Sequence, residues 1–177
     1  MEMSKSMGQI NLMGNMINLP IDELHITMGE LLQQYKEHRK KMEMGFEVPS
    51  SVTKEEVAVG LYLNMVTPRA GSENKLSEII DRMQRANWYP EIVENTLRSV
   101  RKFSETNGEI YYRIIKMLYF QDHATSENEM MSRCAISKST LYRKKEEALK
   151  LFGVLLWNDF LKDHGWDAKK VKLMVGM

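Results

Sequence analysis

Between Pro20 and Gly45 the apolar residues Ile21, Leu24, Met28, Leu31, Tyr35 and Met42 recur at alternating three- and four-residue steps, with His38 in the one polar slot. That spacing lines one side of an α-helix and makes a heptad seam of about three repeats. Pro20 suits a first helical turn, and Asp22 and Glu23 sit where the helix dipole favours acids. Arg39, Lys40 and Lys41 sit near its negative end, and Gly45 is the expected stop. A seam of this length fits either self-association of two chains or an amphipathic helix packed on its own domain.

The same period returns along the chain. Thr53 and Glu56 have capping-box spacing and predict a short helix to about Val66. Ser72 can cap a helix with Leu76, Ile79, Ile80 and Met83 on one face, and Pro90 starts another with Val93, Leu97, Val100 and Phe103 inside. A helix from Glu109 buries Ile110, Ile114, Ile115, Leu118 and Tyr119. A short one over Glu127 to Cys134 turns Met130, Met131 and Cys134 inward. After Ala135 and Ile136, a last helix starts at Lys138 and carries Leu141, Ala148, Leu149, Phe152, Leu155 and Leu156 inward, extending toward Phe160 before Gly165. No stretch alternates convincingly as a strand does and no internal repeat is present, so the expected fold is all-α. Residues 1–19 mix Met, Asn, Gly and Ser without clear period, which predicts a poorly ordered arm. The expected organisation is this arm, a helical region over 20–107 for self-association or partner contact, a helix-turn-helix over 108–165 and a tail over 166–177.

The stretch from Ser137 to Lys145 differs in chemistry from the rest. Ser137 can cap the helix start, and Lys138, Ser139, Thr140, Tyr142, Arg143, Lys144 and Lys145 then follow with no carboxylate before Glu146. Cations and hydroxyls on one helix suit phosphate oxygens and base edges, although a solvated basic face has the same composition. The short helix and small-residue turn upstream favour the first reading, because they would hold Ile136 and Leu141 inward and leave Lys138, Ser139, Tyr142 and Arg143 outside. Two bland alternatives stand beside it: Tyr142 could pack on the preceding helix, and Arg143 could pair with Glu147 one turn on.

Residues Glu109 to Phe152, above all Ala135-Ile136-Ser137-Lys138-Ser139-Thr140-Leu141-Tyr142-Arg143 followed by Ala148-Leu149, resemble the region-4-type helix-turn-helix of sigma factors. Within that group they are most similar to phage-encoded late transcriptional regulators of the ArpU and RinA kind. Met131 and Cys134 depart from the family, which usually has alanine and leucine at those places. The resemblance implies that Ser137, Lys138, Ser139, Tyr142 and Arg143 face the major groove of double-stranded DNA. It implies that Lys144 and Lys145, with Lys150 a further candidate, face phosphates. A sequence-specific DNA-binding transcriptional regulator, whose N-terminal helical region serves self-association as a dimer or contact with RNA polymerase, is the corresponding expectation. The alternative is a sigma-like interaction module that binds polymerase or another protein with little DNA contact.

Composition narrows this in one respect. The 177 residues carry 25 Lys plus Arg against 24 Asp plus Glu, a net charge of +1, so attraction to a polyanion has to come from local clustering. A hydrophobic share of 43% and a charged share of 28% are those of a globular chain. Met1 to Gly8 lacks the apolar core of a secretory signal, and no run has the length to cross a bilayer, so a cytoplasmic location is expected. With one cysteine, Cys134, and no His-Glu-x-x-His motif or Gly-rich phosphate loop with lysine, neither a zinc site nor a nucleotide site is expected. His25, His38, His123 and His164 are far apart in sequence, and Glu55-Glu56 and Glu146-Glu147 point about 100° apart on a helix. No cofactor and no enzymatic activity are expected.

Overall fold

The structure is a computed structural model that describes residues 3–17, 19–57, 59, 60 and 73–163. Its elements are α-helices: α1 (Lys5–Met16), α2 (Leu24–Glu43), α3 (helical at 54–57 and 59–60 among the described residues), α4 (Glu73–Gln84), α5 (Tyr89–Arg101), α6 (Asn107–Tyr119), α7 (Glu127–Cys134) and α8 (Lys138–Asp163). The fold is all-α. No strand forms among the described residues, and a single bridge, Ser50 to Ala86, links the loops on either side of the α3–α4 segment.

The helices start and stop for local reasons. In α3 the Thr53 hydroxyl accepts from the Glu56 N–H at 3.2 Å, as the capping-box spacing requires. Helix α2 begins at Leu24 rather than at Pro20, because residues 21–23 form a turn in which the Leu24 N–H reaches the Ile21 carbonyl. At its other end Gly45 takes a φ of +74°, and the Phe46 N–H closes onto the Lys41 carbonyl at 2.8 Å. That is the left-handed stop expected of a glycine just past a helix. The Gln84 side chain donates to the Leu31 carbonyl at 3.1 Å and ties the end of α4 to α2.

Helix α8 is the axis of the fold. From Ala148 to Trp157 it is buried on nearly every side: Ala148, Leu149, Leu151, Phe152, Val154, Leu156 and Trp157 all lie inside. A helix apolar all round belongs at the centre of a bundle, and α1, α2, α5 and α6 pack on it. Gly153 lets α2 come close, since a Cβ there would sit 2.8 Å from the Leu24 side chain. Each large apolar side chain buried this way contributes about 1.5–3 kcal/mol. The main hydrophobic cluster takes residues from every helix except α7 and so runs across the expected boundary at 107/108. A second cluster of Ile114, Met117, Met130, Cys134 and Leu141, with Ile110, Leu118, Met131 and Ile136 around it, holds α7 between α6 and α8.

Two expectations are corrected. The segment expected to be a poorly ordered arm forms α1, capped by Ser4, whose hydroxyl accepts from the Met7 N–H at 3.1 Å; Ile10 is fully buried against the core. The proposed self-association seam is an internal one: Ile21, Leu24, Met28, Leu31 and Tyr35 are all buried within the chain and Met42 is half-buried. Tyr35 meets the Tyr89 ring edge-on at 5.5 Å. The apolar stripe was legible, but its partner is the chain's own core. His38, in the polar slot, pairs with Glu47 at 2.5 Å and lies 3.6 Å from Asp81. The expected run of α3 to Val66, the inward placement of Leu76 and Phe160, the stop at Gly165 and the tail over 166–177 lie outside the described residues and side chains.

Candidate nucleic-acid interface

The candidate surface is the first two turns of α8, and the turn before them sets its aim. The Ser126 hydroxyl caps α7 by accepting from the Glu129 N–H at 3.1 Å. Helix α7 ends at Ala135, which adopts the left-handed region at φ 53°, ψ 46°. The Ile136 N–H then closes onto the Met131 carbonyl at 3.1 Å. Arg113 of α6 donates to the Arg133 carbonyl at 3.2 Å, so the C-terminal end of α7 receives a cation as its dipole favours. Ser137 starts α8 as its side chain predicts: its hydroxyl accepts from the Thr140 N–H at 3.3 Å and donates to Thr140 Oγ1 at 3.0 Å.

At about 100° per residue, Tyr142, Ser139 and Arg143 lie roughly 40°, 100° and 140° around the helix from Lys138. This is the outward arc: Lys138, Ser139, Tyr142 and Arg143 are exposed, whereas Thr140 is half-buried and Leu141 is buried. Arg143 makes no hydrogen bond or ion pair among the described residues. The alternative Arg143–Glu147 pair does not form, because Glu147 is turned inward onto Ser4, Tyr111 and Lys144. Tyr142 is half exposed, and its hydroxyl donates to Glu127 of α7. Lys138 Nζ lies 3.5 Å from the other oxygen of the same carboxylate and 6.0 Å from the Tyr142 ring centre. The hydrogen bond from Tyr142, with Lys138 beside it, holds the Glu127 carboxyl below its ordinary value, and that bond raises the Tyr142 phenol.

Three of the predicted phosphate contacts fare differently. Lys144 is buried and donates to Asn107 Oδ1 at 2.7 Å, with Glu147 at 3.6 Å. It faces inward because it falls about 240° round from Lys138, on the same side as Leu141 and Ala148. Lys150 is also buried and donates to Glu146 at 2.8 Å. Neither presents its ammonium to a ligand. Lys145 is half-buried at the edge of the arc, beside a cleft of about 520 Å3 lined also by His25, Glu30, Tyr119 and Leu149.

Sequence reasoning missed the polar network beneath this surface. Glu147, buried, accepts from Ser4 Oγ and Tyr111 OH, each at 2.6 Å. Asn107, which holds Lys144, donates to Ser6 Oγ at 2.6 Å. Burial drives the Tyr111 phenol far up, and the bond to Glu147 adds to it. The network fastens α1 to α6 and α8 directly behind the outward arc. It satisfies two buried charges at once, which a buried ion pair needs in order to be tolerated. At the start of α6, Glu109 receives Arg101 at 2.6 Å and Arg113 at 3.1 Å, and these contacts, Arg101 first, hold its carboxyl low.

Among the described residues no group of His, Cys, Asp or Glu could hold a metal ion, and no helix is long and apolar enough to cross a membrane. No family model, curated protein or solved structure matches this chain.

Proposed function

We propose that the protein is a sequence-specific DNA-binding transcriptional regulator that reads the major groove with the first two turns of α8, of the phage late-regulator kind its sequence resembles. The observation that carries the reading is Arg143, exposed and without a hydrogen bond or ion pair among the described residues, on the outward arc with Ser139 and Tyr142. A guanidinium in that position can form a bidentate pair with guanine, and the hydroxyls can take either a base edge or a phosphate. Short α7, the left-handed turn at Ala135 and inward Leu141 support it, because they let a helix end project from the bundle. Lys138 and Lys145 then serve phosphates, and Lys144 and Lys150 are withdrawn from that role. A dimer, if it forms, uses a surface other than the Ile21-to-Met42 seam. A cytoplasmic location and contact with RNA polymerase belong to the same proposal.

The alternative, an interaction module that contacts polymerase or another protein and barely touches DNA, draws support from the same side chains. Two of the four cations between Lys138 and Lys145 sit against carboxylates, which weakens any general pull on a polyanion. Selection of binding sites from random duplexes separates the two. A recovered consensus whose affinity falls steeply with salt supports the regulator. No duplex binding at low salt supports the module and overturns the regulator.

A further inference from the structure

Glu127 is the first residue of α7, yet its carboxylate belongs as much to α8. One oxygen accepts from Tyr142 OH and the other lies 3.5 Å from Lys138 Nζ. All three side chains are open to solvent: 46% of Glu127, 64% of Lys138 and half of Tyr142. The carboxylate therefore stands on the face that a duplex would approach. We propose that Glu127 is an anionic gate on the proposed DNA-reading surface: in the free protein it holds Lys138 and Tyr142, and a duplex phosphate must displace it before α8 can seat.

The gate rests on the DNA-binding reading, and it follows from what phosphate contacts are. A phosphate recruits Lys138 by ion pairing and Tyr142 by accepting its hydroxyl proton. Glu127 already makes both interactions, with two acceptor oxygens that share one negative charge as those of a phosphodiester do. Lys144 is likewise held inside by Asn107 and Glu147. Of the four cations in this stretch, Arg143 and Lys145 make no ion pair or hydrogen bond among the described residues, although Lys145 adds to the positive field at the Glu127 carboxylate. A generic duplex offers phosphates but no base contacts, so it meets a face with little net attraction. Because phosphates carry no sequence, the gate lowers affinity for every duplex by a common factor. It leaves discrimination to Arg143 and Ser139.

The experiment compares the full-length protein with Glu127→Gln, on a selected site and on a random duplex, across a salt series. Glutamine keeps the shape and removes the charge, and melting of both proteins confirms the fold. Glu127→Gln is expected to tighten binding to both duplexes about two- to fivefold near 0.1 M salt, the range for an exposed pair. The plot of log affinity against log salt should steepen by roughly 0.9, one further phosphate contact. In a Lys138→Gln, Tyr142→Phe background the gain should largely vanish. Without DNA, Glu127→Gln should lower the pH at which the Tyr142 ring resonances titrate. Wild-type affinity and slope in Glu127→Gln overturn the gate while leaving the DNA reading intact. So does a full gain that persists in the double-variant background, or an unmoved Tyr142 titration. Binding by Glu127→Gln alone supports the gate, and absence of duplex binding by both proteins overturns the gate and the DNA reading together.

Discussion

Replacing Ala135 by glycine should make the protein more stable, although glycine usually weakens a fold. Ala135 sits at φ 53°, ψ 46° between α7 and α8, where an L-residue's Cβ crowds its own carbonyl at a cost of roughly 1–2 kcal/mol. Its side chain is exposed, so the methyl group contributes little burial to set against that strain. Glycine removes the strain but frees the unfolded chain, which offsets about 0.4–1 kcal/mol. The net gain is then about 0.8 kcal/mol, within a range of roughly 0–1.6 kcal/mol. For a chain of 177 residues that corresponds to a melting temperature higher by roughly 1–4 °C. Urea denaturation followed by circular dichroism measures it directly: the midpoint should rise with an unchanged slope. Ala135→Val should move the midpoint the other way, since a β-branched residue tolerates the left-handed region worst. A lower midpoint for Ala135→Gly would refute the reasoning, because it would mean that the turn is not left-handed or that the methyl group is packed.

Other outcomes follow from the buried groups. Glu147→Ala removes the acceptor of Ser4 and Tyr111 and the counter-charge of buried Lys144, and should cost about 3 kcal/mol in urea unfolding. Replacing Glu147 and Lys144 together by leucine and methionine should recover the part of that loss due to the stranded Lys144 charge and leave about 1 kcal/mol or more for the unpaired Tyr111 hydroxyl, whereas a cost below about 1 kcal/mol for Glu147→Ala would contradict the network. Tyr35, Tyr89, Tyr111 and Tyr119 all have phenols raised by burial. Groups whose folded value lies above the unfolded one, near 10, contribute stability that is complete below about pH 10 and is lost as pH climbs further. Phenolate absorbance from these four should thus appear together with loss of helical signal, and their ionisation in an intact fold would contradict their burial.

Much of this architecture was readable from periodicity because apolar stripes report which face of a helix is covered. They do not report what covers it. The seam from Ile21 to Met42 was visible, but two faces of the same period can meet within a chain or between chains, and the close approach at Gly153 is what joins α2 to α8. Helix α1 escaped notice because Asn, Gly and Ser depress helix propensity. Its contact face has a single large apolar residue, Ile10, buried between the small Ser6 and Gly14, too little for a periodic apolar stripe. Lys144 could have been placed correctly, since it shares a face with Leu141 and Ala148. Counting cations along the stretch concealed an angle that the helix period supplies. The reach of Glu127 across the turn was not legible, because it depends on how α7 is set against α8, and no local pattern encodes that.

Base reading by Arg143 is put to the test by a binding titration over single-base variants of a selected duplex. Wild-type protein should prefer one guanine-containing position by roughly 1–3 kcal/mol over each other base. Arg143→Ala should flatten preference at that position alone, while Lys145→Ala should weaken all variants about equally. An unchanged preference in Arg143→Ala would contradict the assignment of the outward arc of α8 to base reading.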